Sequence, residues 1–293
     1  MSKNIIKSIC WDITSRCNDN CAFCYRNQNN EELDFESNKI ILKKLLDFGV
    51  DKISFVGGEP LLYTKLYDLV KCGKEYSKGK TQFSITTNTI LLTKMIDNKM
   101  VIDEEQMKKT LEIFDWITLS LDGSNREIQS KMGRNKYHFD RVITILKYLN
   151  NPQCLQKIKI NTVVSNINKE CLRELYNLLC EYNVERWKLF RFLPSRSNAL
   201  KNKDKYYISE KQFLNEIEKI KRNNISNKIV ITINGYGNFD NSYITISSDG
   251  NLVVYDNGEY QNKINLLYED IENILKYINI EKHIENRSDF LRV

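Results

Sequence analysis

No run of apolar residues in this 293-residue chain is long enough to cross a bilayer, so a membrane-spanning helix is not expected. The opening Met1-Ser2-Lys3-Asn4 lacks the apolar core and small-residue cleavage site of a secretory signal, which leaves the cytoplasm as the expected location. Low-complexity linkers and repeats are also missing. Histidine is scarce, with only His138 and His283, so the chain offers little imidazole for acid–base chemistry. Cysteine disappears after Cys180, which argues against a metal cluster in the last third. The eight cysteines are spread unevenly through a large chain, a pattern that suits reduced thiols with one metal site better than a disulfide framework. A net charge of +6 is mild for this length. It permits a polyanionic ligand without arguing for a nucleic-acid binder.

What is present is an ordinary soluble composition, 41% hydrophobic and 28% charged, in which strand-like and helix-like patterns alternate. Strands are expected at 5–14, 52–56, 82–87, 116–121, 157–164 and 186–192. Helices are expected between them, at 37–49, 63–76, 104–114, 139–149 and 169–182. Six such units imply an α/β fold, a partial (βα)6 TIM-like barrel over residues 1–194, with its site at the C-terminal ends of the strands. Residues 195–293 read as a C-terminal α+β extension capping the barrel. In it, Ser209-Glu210-Lys211-Gln212 forms a capping box that opens a helix to about Arg222, and Asp249-Gly250 marks a hairpin turn. Strands at 229–233, 243–247 and 252–255 and a short helix at 268–278 complete the extension, and the Lys201–Lys205 run reads as a solvated loop.

Side chains alternate between the two faces of a strand. Ile53 and Phe55, Phe83 and Ile85, Ile117 and Leu119, and Ile158 and Ile160 share apolar faces that must pack on helices. The other faces carry Lys52, Ser54, Ser84, Thr86, Thr118, Ser120, Asp122, Lys159 and Asn161. A barrel lumen this polar costs desolvation unless water or a ligand fills it. By this count Lys52, Lys159, Arg186 and Lys188 converge on the lumen, with Asp12 and Asp122 as its main carboxylates, and such a cationic cluster suits phosphates or carboxylates. The competing reading places Lys52, Lys159 and Arg186 at the solvated bottom of the barrel.

Cys17, Cys21 and Cys24 sit four and three residues apart just after the first strand. No fourth Cys or His lies nearby to complete a tetrahedral zinc. A [4Fe–4S] cubane held by three thiolates keeps one iron open for a cofactor or substrate. A zinc loop with a distant fourth ligand is the alternative. The Cys-x3-Cys-x2-Cys run, with Phe23 before the third cysteine and Gly57-Gly58-Glu59-Pro60 after the second strand, resembles the signature of the radical S-adenosylmethionine (SAM) enzymes over roughly residues 5–193. The resemblance implies a [4Fe–4S] cluster on Cys17, Cys21 and Cys24. It also implies a SAM site that includes Phe23, Gly57, Gly58, Glu59, Pro60, Asn88, Ser120, Asp122 and Arg134, with Thr87-Asn88 and Ser120-Asp122 near the ribose and Arg134 on the carboxylate. The implied chemistry is reductive cleavage of SAM to a 5′-deoxyadenosyl radical that takes hydrogen from a substrate, fed by a flavodoxin- or ferredoxin-type electron donor.

Within that family, residues 51–60, Lys159-Ile160-Asn161-Thr162-Val163, Arg186-Trp187-Lys188-Leu189-Phe190, Tyr207-Ile208-Ser209-Glu210 and Ser242-Tyr243-Ile244 resemble the viperins, which modify nucleotides. That resemblance implies a nucleoside triphosphate bound by Lys52, Lys159, Asn161, Arg186 and Lys188. Departures fall at Tyr25-Arg26-Asn27-Gln28 and at Arg191-Phe192-Leu193-Pro194-Ser195-Arg196. The alternatives are a radical SAM maturase acting on a peptide, a glycyl-radical activase, and a metal-bearing interaction module without catalysis. No nucleic-acid or membrane partner is expected.

Overall fold

The computed structural model describes residues 6–26, 31–223, 229–235, 243–256 and 258–287. Ile5, expected to open the first strand, and Asn27, Gln28 and Ser242 lie outside them. The strands are β1 (Ile9–Thr14), β2 (Lys52–Gly57), β3 (Gln82–Thr87), β4 (Thr93–Ile96), β5 (Lys99–Ile102), β6 (Trp116–Ser120), β7 (Lys157–Val164), β8 (Val184–Arg191), β9 (Val230–Asn234), β10 (Thr245–Ile246), β11 (Asn251–Asp256) and β12 (Glu259–Asn265). The six strands expected from the sequence are β1, β2, β3, β6, β7 and β8, and they pair in that order, all parallel. The fold is α/β with a partial TIM-like barrel.

The strands form because each offers one continuous apolar face. Ile53, Phe55, Phe83, Ile85, Ile117, Leu119, Ile160, Trp187 and Leu189 are fully buried. They meet the apolar stripes of the surrounding helices, such as Ile41, Leu42 and Leu45 of the Phe35–Phe48 helix and Leu66, Leu69 and Val70 of the Leu66–Ser77 helix. Each such side chain contributes about 1.5–3 kcal/mol through removal from water. The helices begin where caps are available: Asp34 accepts from the Ser37 amide, Asp103 from Gln106 and Asn125 from Ile128.

The extension joins the same sheet at both edges. β9 adds in parallel to β8, β10 adds in parallel to β1, and β11 and β12 follow β10 antiparallel. The hairpin at Asp249-Gly250 is present, with Gly250 at φ 85°. The capping box is reciprocal: the Gln212 amide donates to Ser209 Oγ, and the Ser209 amide donates to Gln212 Oε1.

Several elements differ from expectation. The Lys201–Lys205 run is not a loop but part of two short helices, Ser197–Lys201 and Lys203–Tyr206. Tyr206, wholly buried against Phe23 and Phe192, pins that segment while its lysines face solvent. The β4–β5 hairpin, β12 and the Ile280–Arg287 helix have no counterpart in the sequence reading. Among the described residues, no helix is long and apolar enough to cross a membrane.

Candidate active site

The polar faces of the barrel strands enclose a cavity of about 350 Å³. Ser54, Ser84, Thr86, Thr118, Ser120, Lys159, Asn161 and Lys188 line it, as strand alternation predicts. A second cavity of about 170 Å³ lies at the C-terminal ends of the strands and is lined by Cys17, Cys21, Cys24, Asn88 and Arg134. Phe23, Cys24, Arg26, Gly57, Gly58, Ser120 and Arg134 line both, so the two spaces adjoin.

The cysteine loop is held from two sides. Below it, the Gly58 and Glu59 amides donate to the carbonyls of Thr14 and Arg16, both at 2.8 Å. A Cβ on Gly58 would stand 1.8 Å from the Arg16 oxygen, and one on Gly57, at φ 124°, would stand 2.3 Å from that of Thr14. Glycine is required here for the turn to reach the cysteine loop. On the other side, the Ala199 amide donates to the Cys24 carbonyl, and Asn198 and Asn202 donate to the Cys21 and Ala22 carbonyls. These contacts span more than 170 residues of sequence, which is why the Ser197–Lys201 turn carried no local signal.

The three cysteines are free thiols. Asn88 Nδ2 lies 3.6 Å from Cys17 Sγ, Arg134 Nη1 3.3 Å from Cys21 Sγ, and the Arg26 amide 3.4 Å from Cys24 Sγ. Burial pushes the Cys21 thiol up to about 12 and raises that of Cys24 as well. Thiolates there need the charge of a metal centre. Among the described residues, no three His, Cys, Asp or Glu side chains group as ligands of a single ion. A cubane presents one iron to each thiolate, so its three sulfurs need not meet at one point. The loop therefore suits a cluster better than zinc.

Other residues singled out from the sequence fall into two groups. Asn88, Ser120, Asp122, Arg134, Lys52, Lys159, Asn161 and Lys188 reach one cavity or the other. Glu59 and Pro60, both in the SAM site that the resemblance implies, line neither. The wholly buried Glu59 carboxylate instead accepts from Thr87 Oγ1 at 2.8 Å, the Asn88 amide at 2.7 Å and the Leu61 amide at 3.3 Å. Desolvation pushes it up to about 7 against those donors. It fastens the β3 loop to the glycine turn, leaving Gly57 and Gly58 at the cavity.

Asp122 is likewise committed, since it holds Arg134 Nε at 2.8 Å and accepts the Val163 amide at 2.7 Å. The Arg134 guanidinium lies 4.8 Å from the Phe23 ring centre. Arg186 is the one expected lumen cation that does not line the cavity. Trp116, at the N-terminal end of β6, gathers Lys52, Lys157 and Arg186 at 4.1, 5.2 and 5.5 Å from its ring centre. The attraction of cations to its π face explains why Arg186 stays at the barrel floor. Both histidines are structural: His138 Nδ1 pairs with Gln129, and His283 Nε2 accepts from the Lys7 amide.

The extension supplies residues that sequence reasoning did not assign. Tyr243 accepts from Lys188 Nζ and Asn234 Nδ2, joining β8 and β9 to the start of β10. Tyr25 stacks on Tyr260 at 5.6 Å, Tyr255 meets Tyr260 edge-on at 5.0 Å, and Arg196 lies 4.2 Å from the Tyr260 ring centre. Tyr25, Arg196, Tyr243, Tyr255 and Tyr260 all line the cavity. The Ser242-Tyr243-Ile244 resemblance pointed to Tyr243, and Tyr25 and Arg196 fell in the two departing segments; Tyr255 and Tyr260 carried no prior signal for the site.

The sequence pattern of the Radical SAM superfamily matches residues 11–179, more than half of the chain. A protein of Flammeovirga pacifica named "S-adenosylmethionine-dependent nucleotide dehydratase" is 28% identical, over 97% of this chain and 95% of its own length. Among solved structures, anSMEcpe with bound AdoMet and a Kp18Cys peptide matches with a TM-score of 0.69 at 19% identity, over 95% of this chain and 82% of that one. Streptococcus suis SuiB bound to its precursor peptide SuiA matches at 0.64 and 19%, over 97% and 67%. These last two similarities concern the fold. With the match across the barrel and a cysteine loop suited to a cluster, the chain belongs to the radical SAM superfamily, whose enzymes work with a [4Fe–4S] cluster and S-adenosylmethionine.

Proposed function

We propose that this chain is a nucleotide-modifying radical SAM enzyme whose substrate is a nucleoside triphosphate, similar in chemistry to nucleotide dehydratases. The observation that carries this reading is the adjoining pair of cavities, with the cysteine loop at one end and Lys52, Lys159 and Lys188 along the other. The near full-length similarity to the Flammeovirga protein supports it. Residues 1–194 act as the catalytic barrel and residues 195–293 as the extension that completes its walls.

Cys17, Cys21 and Cys24 hold the cluster. Gly57, Gly58, Phe23, Asn88, Ser120 and Arg134 surround SAM, with Asp122 fixing Arg134 and Glu59 fixing the Asn88 loop. Bound together, cluster and SAM supply one-electron chemistry that abstracts hydrogen, with electrons from a flavodoxin- or ferredoxin-type donor. The chain's own part is to place the substrate and keep water out. Lys159, Lys188 and Asn161 orient the phosphates, and Lys52, held on Trp116, adds charge from the floor.

Equilibrium dialysis of the cluster-loaded, SAM-bound protein tests the phosphate end. A nucleoside triphosphate should bind at least about a hundredfold more tightly than its nucleoside, given several charge-assisted contacts. Equal affinity for the two would overturn the substrate class and turn attention to peptides.

A further inference from the structure

The cavity wall opposite the lysines contains an acid, Asp12, that has no hydrogen-bond or ion-pair partner among the described residues. β1 is separated from β7 by β2, β3 and β6, so Asp12 faces Lys159 and Lys188 across the lumen. Along the strands it also lies far from the floor. Asp12 pairs with Val56 near the end of β2, whereas Lys52 begins that strand. Four residues of rise place the two side chains about 13 Å apart along the strand. Among the described residues, the Asp12 carboxylate makes no hydrogen bond and no ion pair. Arg196 reaches it only through space, and burial pushes it up to about 6.

A carboxylate in such a position is costly unless a ligand donates to it. Its surroundings indicate what kind of ligand. Tyr25, Tyr260 and Arg196 stack on one another within electrostatic reach of it, and Arg196 is fixed by donating from Nε to the Tyr25 carbonyl at 2.8 Å. Flat neighbours and a carboxylate acceptor suit a planar group with an N–H donor.

Building on the nucleotide reading above, we propose that Asp12 is a specificity-determining residue that accepts a hydrogen bond from the exocyclic amino group of the substrate's nucleobase, with Arg196 and the Tyr25–Tyr260 pair forming the wall beside it. A nucleoside triphosphate with an amino-bearing base then spans the lumen, phosphates on the lysines and amine on Asp12. A carbonyl in place of that amine would set oxygen against oxygen at Asp12 and weaken binding.

Two probe pairs exchange the exocyclic amine for a carbonyl, with the adjacent ring nitrogen changing from acceptor to N–H donor: CTP against UTP, and ATP against ITP. Calorimetry on the cluster-loaded, SAM-bound protein should show one amino-bearing member binding about tenfold or more tightly than its keto partner. Asp12→Ala should remove that preference, weakening the amino-bearing member and strengthening the keto partner as the repulsion is lost, while leaving the affinity of inorganic tripolyphosphate within about twofold. Asp12→Asn, which offers an amide donor in the same volume, should narrow or invert it. No preference in the parent protein, or a preference that survives both substitutions, would overturn the assignment of Asp12 while leaving the nucleotide reading intact. If neither tripolyphosphate nor any nucleotide binds while SAM does, both readings fall together.

Discussion

The two ends of the lumen are built differently. At the mouth, polar groups are already satisfied within the protein: Glu59 by three donors, Asp122 by Arg134 and Val163, and the cysteine loop by carbonyl contacts from both sides. Deeper in the barrel, the charged groups face the cavity. Lys159 and Lys188 line it, Lys188 donating to Tyr243, while Asp12, on β1 and nearer the mouth, has no hydrogen-bond partner among the described residues. In the proposed reading the mouth serves the cofactor and the lumen serves the substrate. Positions at the mouth should therefore respond to substitution as structure, and positions in the lumen as binding.

The largest effect is expected at the cysteines. Replacing Cys17, Cys21 and Cys24 by Ala should abolish the brown cluster absorbance after reconstitution, and retained absorbance would remove them as ligands. Gly58→Ala should come next. Its Cβ has no room beside the Arg16 carbonyl, so the turn and cysteine loop must separate, at a cost of about 1–3 kcal/mol. A lower urea midpoint together with weaker cluster loading is expected, and an unchanged midpoint would break the contrast between mouth and lumen.

In the lumen, Lys188→Ala should leave cluster loading intact and weaken triphosphate binding by about 1.5–3 kcal/mol, read by calorimetry. Arg186→Ala, whose side chain sits on Trp116 below the cavity, should change that affinity by no more than about 0.5 kcal/mol. Equal losses at the two positions would put Arg186 back among the phosphate contacts.

The smallest effect is on stability against pH. Burial holds Asp12 up to about 6 and Glu59 up to about 7, above the values near 4 of free carboxylates. The folded chain then keeps protons that the unfolded chain releases. Their contribution to stability is complete below about pH 4 and is lost as pH rises through about 6 and 7. The urea midpoint of the cofactor-free protein should carry this decline, and Asp12→Asn with Glu59→Gln should flatten it. An identical pH profile in the double variant would contradict the two raised carboxyls.

Much of the barrel was legible because its signals are local. Alternation in β2, β3, β6 and β7 separates a buried apolar face from a polar lumen face, and a slip of one residue would exchange them. Cysteine spacing is equally local. Charge destination was half legible: Lys159 lines the cavity as the first reading has it, while Arg186, its neighbour in register, sits on Trp116 at the floor as the competing reading has it. Nor could residue type show that Glu59 spends its oxygens on the chain itself. The wall made by Tyr25, Arg196, Tyr255 and Tyr260 was hidden because it assembles across most of the chain length, from two loops and a hairpin that follow no βα rhythm.

The most direct measurement is anaerobic product analysis. Cluster-loaded protein, reductant and SAM are combined with a panel of nucleoside triphosphates or with peptides, and 5′-deoxyadenosine is quantified by mass spectrometry. A burst that requires one nucleoside triphosphate, and is lost in Lys188→Ala, is the expected result. Release that ignores every nucleotide but rises with a peptide would contradict the proposed substrate, and an intact cluster that never cleaves SAM would contradict the catalytic reading itself.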